Sequence, residues 1–289
     1  MDDDGRSSGA AQRLVSWFAL FVLVTMTVGA CGSSSEPDPT AMSGKFDVGG
    51  RSLYLMCVGA GSPTVVLDAG LGNNHDTWTS VVPAVSRVTR TCSYDRANLG
   101  DSDSAPKPRS SGDVVADLHR LLGTAALRPP YLLVGHSFGG LNMRLFASNF
   151  PTEVGGLVLV DPTPTTFLTD ECAVVEPSLC ATLRADWDPS KNPDGLSLDE
   201  SRREIDGANP LPDVPLVVLA ATEHRQAAIT EKGAEARIEA AWRNAETQLA
   251  ASVPQGRLVV VSSGHDIHRL HPEAVISAVT SMLQASRAP

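Results

Sequence analysis

The chain has 289 residues, of which 42% are hydrophobic and 19% charged. That is enough apolar material for one large buried core and too much for wholesale disorder. Its 33 acidic against 23 basic residues give a formal net charge of -10, and no basic run or aromatic–basic interleaving occurs, which argues against a nucleic-acid partner.

At the N-terminus, Arg6 and Arg13 precede an apolar stretch at 14–30 (LVSWFALFVLVTMTVGA) that leads into Cys31. This order of basic, apolar and small residues is that of a secretory signal. Val28-Gly29-Ala30-Cys31 resembles the lipobox of bacterial lipoproteins, in which the Cys is lipidated and acyl chains become the anchor. An ordinary signal with an incidental Cys, or an uncleaved anchor, are the alternatives; the apolar run is short for a span. The expected organisation is a signal peptide at 1–30, a lipidated Cys31 with a polar linker at 31–44, and a folded domain at 45–289. The protein is then exported, on the outer face of a bacterial membrane. Four further cysteines remain (Cys57, Cys92, Cys172 and Cys180), an even number that in an oxidising compartment suggests two disulfides. No CxxC or Cys/His metal spacing is present, so a zinc site is not expected.

From residue 45 onward, strand-like and helix-like segments alternate. Residues 45–58 form a hairpin turning at Gly49-Gly50, and 64–68 (TVVLD) is a short apolar strand entering Ala69-Gly70-Leu71-Gly72. Residues 76–88 carry apolar side chains at helical spacing, 91–94 is a strand, 95–109 a polar loop, and 113–122 an amphipathic helix. Then come a strand at 131–134, a turn at 135–139, a helix at 140–149 ended by Pro151, and an apolar strand at 154–160 running into Asp161. Residues 162–213 lose this rhythm and are rich in Pro, Asp and Ser, as an irregular cap inserted between two strands would be. Order returns with a strand at 216–220, a helix at 231–251, a strand at 257–261, a loop at 266–270 and a final helix opened by Pro272. Near-continuous apolar strands separated by helices imply a mostly parallel sheet covered on both faces.

Gly135-His136-Ser137-Phe138-Gly139 fits G-x-S-x-G, and its context carries the weight: four apolar residues run into it and a helix leaves it. That is the strand–turn–helix of a nucleophile elbow, with Ser137 as nucleophile. Of the seven histidines, His265 follows a strand and so lies at the same sheet edge as Ser137, which makes it the candidate base. His268 and His271 lead into the last helix and are expected at the surface or as caps. His136 lies inside the elbow, and His75, His119 and His224 have weaker claims. The orienting carboxylate is Asp161, after the strand that follows the elbow helix, or alternatively Glu223, after the next strand. His224 stands where the expected acid loop after that later strand is missing. The backbone amides of Leu71 and Phe138 are candidate oxyanion donors.

LDAGLG at 67–72, SYDRANLGDSD at 93–103, YLLVGHSFGGL at 131–141, GLVLVDPT at 156–163 and SSGHDIH at 262–268 together resemble the α/β-hydrolase superfamily, most closely its esterase and lipase-like branch. The resemblance spans about 45–285. It implies an α/β fold with an eight-stranded sheet and a small cap, a Ser137–His265–acid triad, Leu71 and Phe138 as oxyanion donors, and no metal or organic cofactor. It also implies that the strands bearing Cys57 and Cys92 are neighbours, and hence a Cys57–Cys92 disulfide, with Cys172–Cys180 closing a cap loop. The expected activity is hydrolysis of a small-molecule or lipid ester; amide or thioester cleavage, or non-catalytic ligand binding, are the other readings.

Overall fold

The computed structural model describes residues 41–224 and 233–285. The signal, Cys31 and most of the linker therefore lie outside the described residues. The hairpin forms as β1 (Met42–Asp47) and β2 (Ser52–Val58), so the first strand begins within the segment expected as linker. There follow β3 (Thr64–Asp68), a single 3-10 turn at His75–Trp78, α1 (Val82–Val85) and β4 (Thr91–Tyr94). The helical spacing of 76–88 thus resolves into two short turns rather than one helix, with Pro83 in the first turn of the second. Then come α2 (Ser111–Thr124), β5 (Tyr131–His136), α3 (Phe138–Asn149) and β6 (Val154–Val160).

The 162–213 insertion is helical, with α4 (Phe167–Val174), α5 (Pro177–Asp186) and α6 (Leu198–Asp206). Its Pro and Ser residues open helices instead of preventing them. Pro177 occupies the first turn of α5, where no N–H is needed, and Ser197 caps α6 by accepting from the Glu200 amide at 3.2 Å. The chain closes with β7 (Leu216–Glu223), α7 (Ala234–Ala250), β8 (Gly256–Gly264), α8 (Ile267–Leu270) and α9 (Pro272–Ala285). The loop expected at 266–270 is mostly the short α8.

One eight-stranded sheet runs in the order β1-β2-β4-β3-β5-β6-β7-β8. The hairpin pairs antiparallel, as does β2 with β4, and every pairing from β4 to β8 is parallel. Strand periodicity builds the two covers. Along β3, Val66 faces a core with α2 and α3, whereas Val65 and Leu67 face one with α1 and α9. Burial on both faces is why β3, β5 and β6 have apolar centres and stay buried along nearly their whole length, while β2 alternates. A third apolar cluster joins the insertion to the body through Phe138, Leu141, Phe167, Leu183 and Trp242.

Cys57 and Cys92 sit opposite each other on β2 and β4 and are disulfide-bonded; Cys172–Cys180 joins α4 to α5. Among the described residues, no helix is long and apolar enough to cross a membrane.

Candidate active site

Ser137 stands alone between β5 and α3, with φ 53° and ψ -119°, a conformation that costs a residue bearing a Cβ. Neighbouring backbone holds it there. Its N–H donates to Val160 O at 3.0 Å, and its carbonyl accepts from Gly140 N at 2.9 Å and Thr163 N at 3.1 Å. Two flanking positions admit only glycine: a Cβ on Gly135 would lie 2.4 Å from Gly139 O, and one on Gly139 2.4 Å from Asp68 O. This is the physical content of the G-x-S-x-G spacing.

The structure brings Ser137, His265 and Asp161 together. His265 Nε2 lies 2.9 Å from Ser137 Oγ, and its Nδ1 2.5 Å from Asp161 Oδ2. An ionised carboxylate only accepts, so Nδ1 carries the proton and Nε2 offers its lone pair to the serine hydroxyl. Asp161 is fully buried and, at φ 47°, is like Ser137 a non-glycine residue at positive φ. Its Oδ1 accepts from Ala221 N at 2.7 Å. Burial pushes this carboxyl up, but the hydrogen bonds from His224 and His265 outweigh burial and hold it below the usual carboxylate range. Glu223, the alternative acid, is exposed at the end of β7 and is not the carboxylate that meets His265. The parallel register explains the difference: β6 adjoins β5, and its end delivers Asp161 beside the elbow.

Phe138 opens α3, so its N–H has no intrahelical acceptor. The Leu71 N–H makes no backbone hydrogen bond among the described residues. The loop bearing Leu71 passes against the elbow, since a Cβ on Gly70 would lie 3.3 Å from Ser137 Cβ. The residues that hold this loop were not singled out from the sequence. The buried Arg96 guanidinium donates through Nη1 to Asp68 Oδ1 and Ala69 O, both at 2.6 Å, and through Nη2 to Gly70 O at 2.7 Å. Its Nε and Nη2 also reach Asp194 Oδ2, at 2.8 and 2.6 Å, and Asp194 Oδ1 accepts from Gly72 N at 2.9 Å. Arg96 lies inside the SYDRANLGDSD motif, which was a signal. Asp194, from the insertion, had none.

His268 departs from expectation: it is fully buried, hydrogen-bonded to Thr77 Oγ1 at 2.7 Å and packed on Trp78 and His136. Burial, aided by His265 and Arg269, pushes it down to about 4, so it is a neutral core residue. A short helix, α8, turns its ring inward where a loop would have left it outside. His136 is also buried and lowered well below its ordinary value by burial and by its histidine neighbours. Its Nε2 lies 3.1 Å from the His265 carbonyl, so as a neutral donor it steadies the His265 backbone. His271 is exposed beside Glu273. His75 pairs with Asp95, and His119 with Glu153. Among the described residues, two groups have the donor types for a metal: His136–Asp266–His268 and Asp161–His224–His265. In the second, both histidines already spend the relevant nitrogen on Asp161. Phe138, next to Ser137, and Trp242, edge-on to the His265 ring, belong to one apolar cluster with Leu71, Phe167 and Trp187, and the serine is 8% exposed.

Residues 63–186 match the family described as alpha/beta hydrolase fold. An uncharacterized protein of Bacillus subtilis, YqjL, is 29% identical over 228 residues, covering 76% of this chain and 83% of that one. Among solved structures, the enol-lactonase of Burkholderia xenovorans LB400 superposes with a TM-score of 0.61 at 18% identity, over 83% of this chain and 100% of that one. A thermophilic esterase of Thermogutta terrifontis does so with a TM-score of 0.59 at 19% identity, over 86% of this chain and 100% of that one. With the strand order, the elbow and the family match in agreement, the chain has the α/β-hydrolase fold.

Proposed function

We propose that the protein is an exported serine hydrolase that cleaves carboxylic esters through an acyl-enzyme on Ser137. The observation that carries this reading is the continuous hydrogen-bonded chain from Ser137 Oγ through His265 to Asp161. His265 Nε2 takes the hydroxyl proton as Oγ attacks the ester carbonyl. The Leu71 and Phe138 amides receive the developing oxyanion, and Asp161 balances the imidazolium. His265 then returns the proton to the leaving alcohol, and water, activated by the same imidazole, releases the acid. The apolar cluster that begins at Phe138, beside Ser137, and includes Trp242, beside His265, suits an ester with an apolar acyl or alcohol part. The esterase and the lactonase among the structural neighbours carry ester chemistry in their names, in keeping with this reading.

The test is hydrolysis of an ester panel of varied acyl length, with a thioester and an anilide alongside, by wild type and Ser137→Ala. Ester turnover should fall by at least about 10³-fold in the variant. Turnover that survives unchanged in Ser137→Ala refutes the mechanism, and preferential cleavage of the anilide or thioester reassigns the substrate class.

Export and a lipid anchor at Cys31 belong to the same proposal. The N-terminal residue order supports it, as do two disulfides, which persist in oxidising compartments. Detergent-phase partitioning of the full chain, lost in Cys31→Ser, is the expected result; equal partitioning of both refutes the anchor.

A further inference from the structure

Asp161 serves two imidazoles, and one of them never reaches the serine. β7 runs out through Ala221, Thr222 and Glu223 to His224, whose side chain is almost wholly buried. His224 Nε2 lies 2.8 Å from Asp161 Oδ2, the same oxygen that accepts from His265. On its other side, Nδ1 lies 2.7 Å from Glu239 Oε2, and the Glu239 carboxylate also accepts from the His224 backbone amide. The ring stacks on Trp242 with centroids 4.3 Å apart and planes 24° apart, which fixes its orientation.

A neutral imidazole has one donor and one acceptor nitrogen, so between two ionised carboxylates it would turn a lone pair toward one of them. Only the doubly protonated form donates to both. We propose that His224 is a positioning residue of the Ser137 site: an imidazolium, clamped by Glu239, that aims Asp161 Oδ2 at His265 and keeps Asp161 ionised. The inference rests on the reading of Asp161 as the orienting acid. It also explains why the position after β7 need not hold a carboxylate: the acid comes from β6, and the vacated place steadies it.

The charged surroundings are consistent with this. Facing His224 are Asp161 from the end of β6, Glu239 from α7 and His265 after β8; Arg243 and Glu246 follow Glu239 along α7, paired with each other. Arg243 directs Nη2 to the Ala221 carbonyl. Glu246 is pushed up to about 10, chiefly by burial and by the charge of Asp161, so it adds no charge at neutral pH. Burial opposes the charged form of His224, but Asp161 and Glu239 outweigh it and raise its proton affinity.

His224→Gln keeps a donor toward Asp161 and removes the charge. The expected result is a kcat lower by about 10- to 100-fold, with KM within about threefold. Losing a nearby cation makes His265 easier to protonate, so the acid limb of kcat/KM should move up by about half a pH unit to one unit. Glu239→Gln leaves an acceptor for Nδ1 and removes a negative charge, so with His224 still an imidazolium it should move the limb the other way, downward, and less far. A purely structural role would lower stability without moving the limb. An unmoved limb, with kcat within twofold, overturns the proposal. In wild type, ring nitrogen–proton correlations at about pH 6.5 should show His224 protonated at both nitrogens; a single neutral tautomer overturns it even if His224→Gln does not fold. This measurement needs no turnover, so failure of the Ser137 reading and failure of the His224 proposal remain distinguishable.

Discussion

Asp161 follows β6 and Glu223 ends β7 at the same edge of the sheet, and the two residues behave differently because one is buried and the other exposed. Asp161 is enclosed and receives three hydrogen bonds, while Glu223 is exposed at a strand end. Asp161→Asn should therefore lower kcat by about 10²- to 10⁴-fold with the fold retained, because the amide allows the wrong histidine tautomer. Glu223→Ala should stay within about twofold of wild type in the same ester assay. A buried carboxyl of another kind is Glu246. Its proton affinity in the fold far exceeds that of an exposed glutamate, so folding takes up a proton wherever the unfolded chain has lost it. The sign follows: from about pH 5 up to about pH 10, stability drains away as pH rises. Glu246→Gln removes that cost, so its gain over wild type should be near nil at pH 4 and about 2–3 kcal/mol at pH 7, read by urea unfolding across pH. At this scale the sequence was informative where chemistry tolerates few residues. Ser137 and His265 were legible from the glycines and the strand around them. The choice between Asp161 and Glu223 was not, because a strand end gives a position and no side-chain direction. The pairing of His224 with Glu239 depends on how α7 packs, which no local spacing encodes.

Among the elements, the β3–α1 loop shows how the geometry of the candidate site is held from a distance. Three main-chain groups of this loop are hydrogen-bonded by the Arg96–Asp194 pair, and Asp68 at the end of β3 is shared between Arg96 and Asn142 of α3. Asp194 belongs to the insertion, which is therefore both wall and brace of the site. A parallel bridge between Arg109 and Leu196 fastens the same stretch to the body. Arg96→Met would leave Asp68 and Asp194 buried without their cation, and a broken buried pair costs about 3–5 kcal/mol. The expected outcome is a large drop in the urea midpoint. Asp194→Asn, the milder change, should keep the fold and lower kcat by about tenfold as the Leu71 amide loses its fixed position. An unchanged kcat in Asp194→Asn would detach the brace from catalysis. The insertion was the least legible element from sequence. Its Pro and Asp content suggested irregular chain, yet Pro177 and Ser197 are helix-opening residues, and the helices depend on apolar contacts across Phe167, Leu183 and Trp242.

Across the molecule, the sheet was legible because near-continuous apolar strands covered on both faces admit few arrangements, and the helical segments between them supply the covers. The two disulfides act on this architecture unequally. Cys57–Cys92 spans 35 residues and ties the antiparallel hairpin to the parallel body, enclosing β3 and α1 in its loop. Cys172–Cys180 spans 8 residues and closes only the turn between α4 and α5. If cross-links act mainly by restricting the unfolded chain, the longer loop contributes about 4 kcal/mol and the shorter about 2.5. The paired substitution Cys57→Ala with Cys92→Ala should also leave a gap among residues that are fully buried, so its cost adds to the larger figure. The pair Cys172→Ala with Cys180→Ala instead loosens the helices that supply Phe167 and Leu183 to the apolar wall, so it should raise KM more than it lowers the unfolding midpoint. Urea titrations with ester kinetics on the two double variants separate these effects. A larger midpoint loss from the cap pair than from the β2–β4 pair would mean that the insertion, rather than the sheet, limits the stability of the whole.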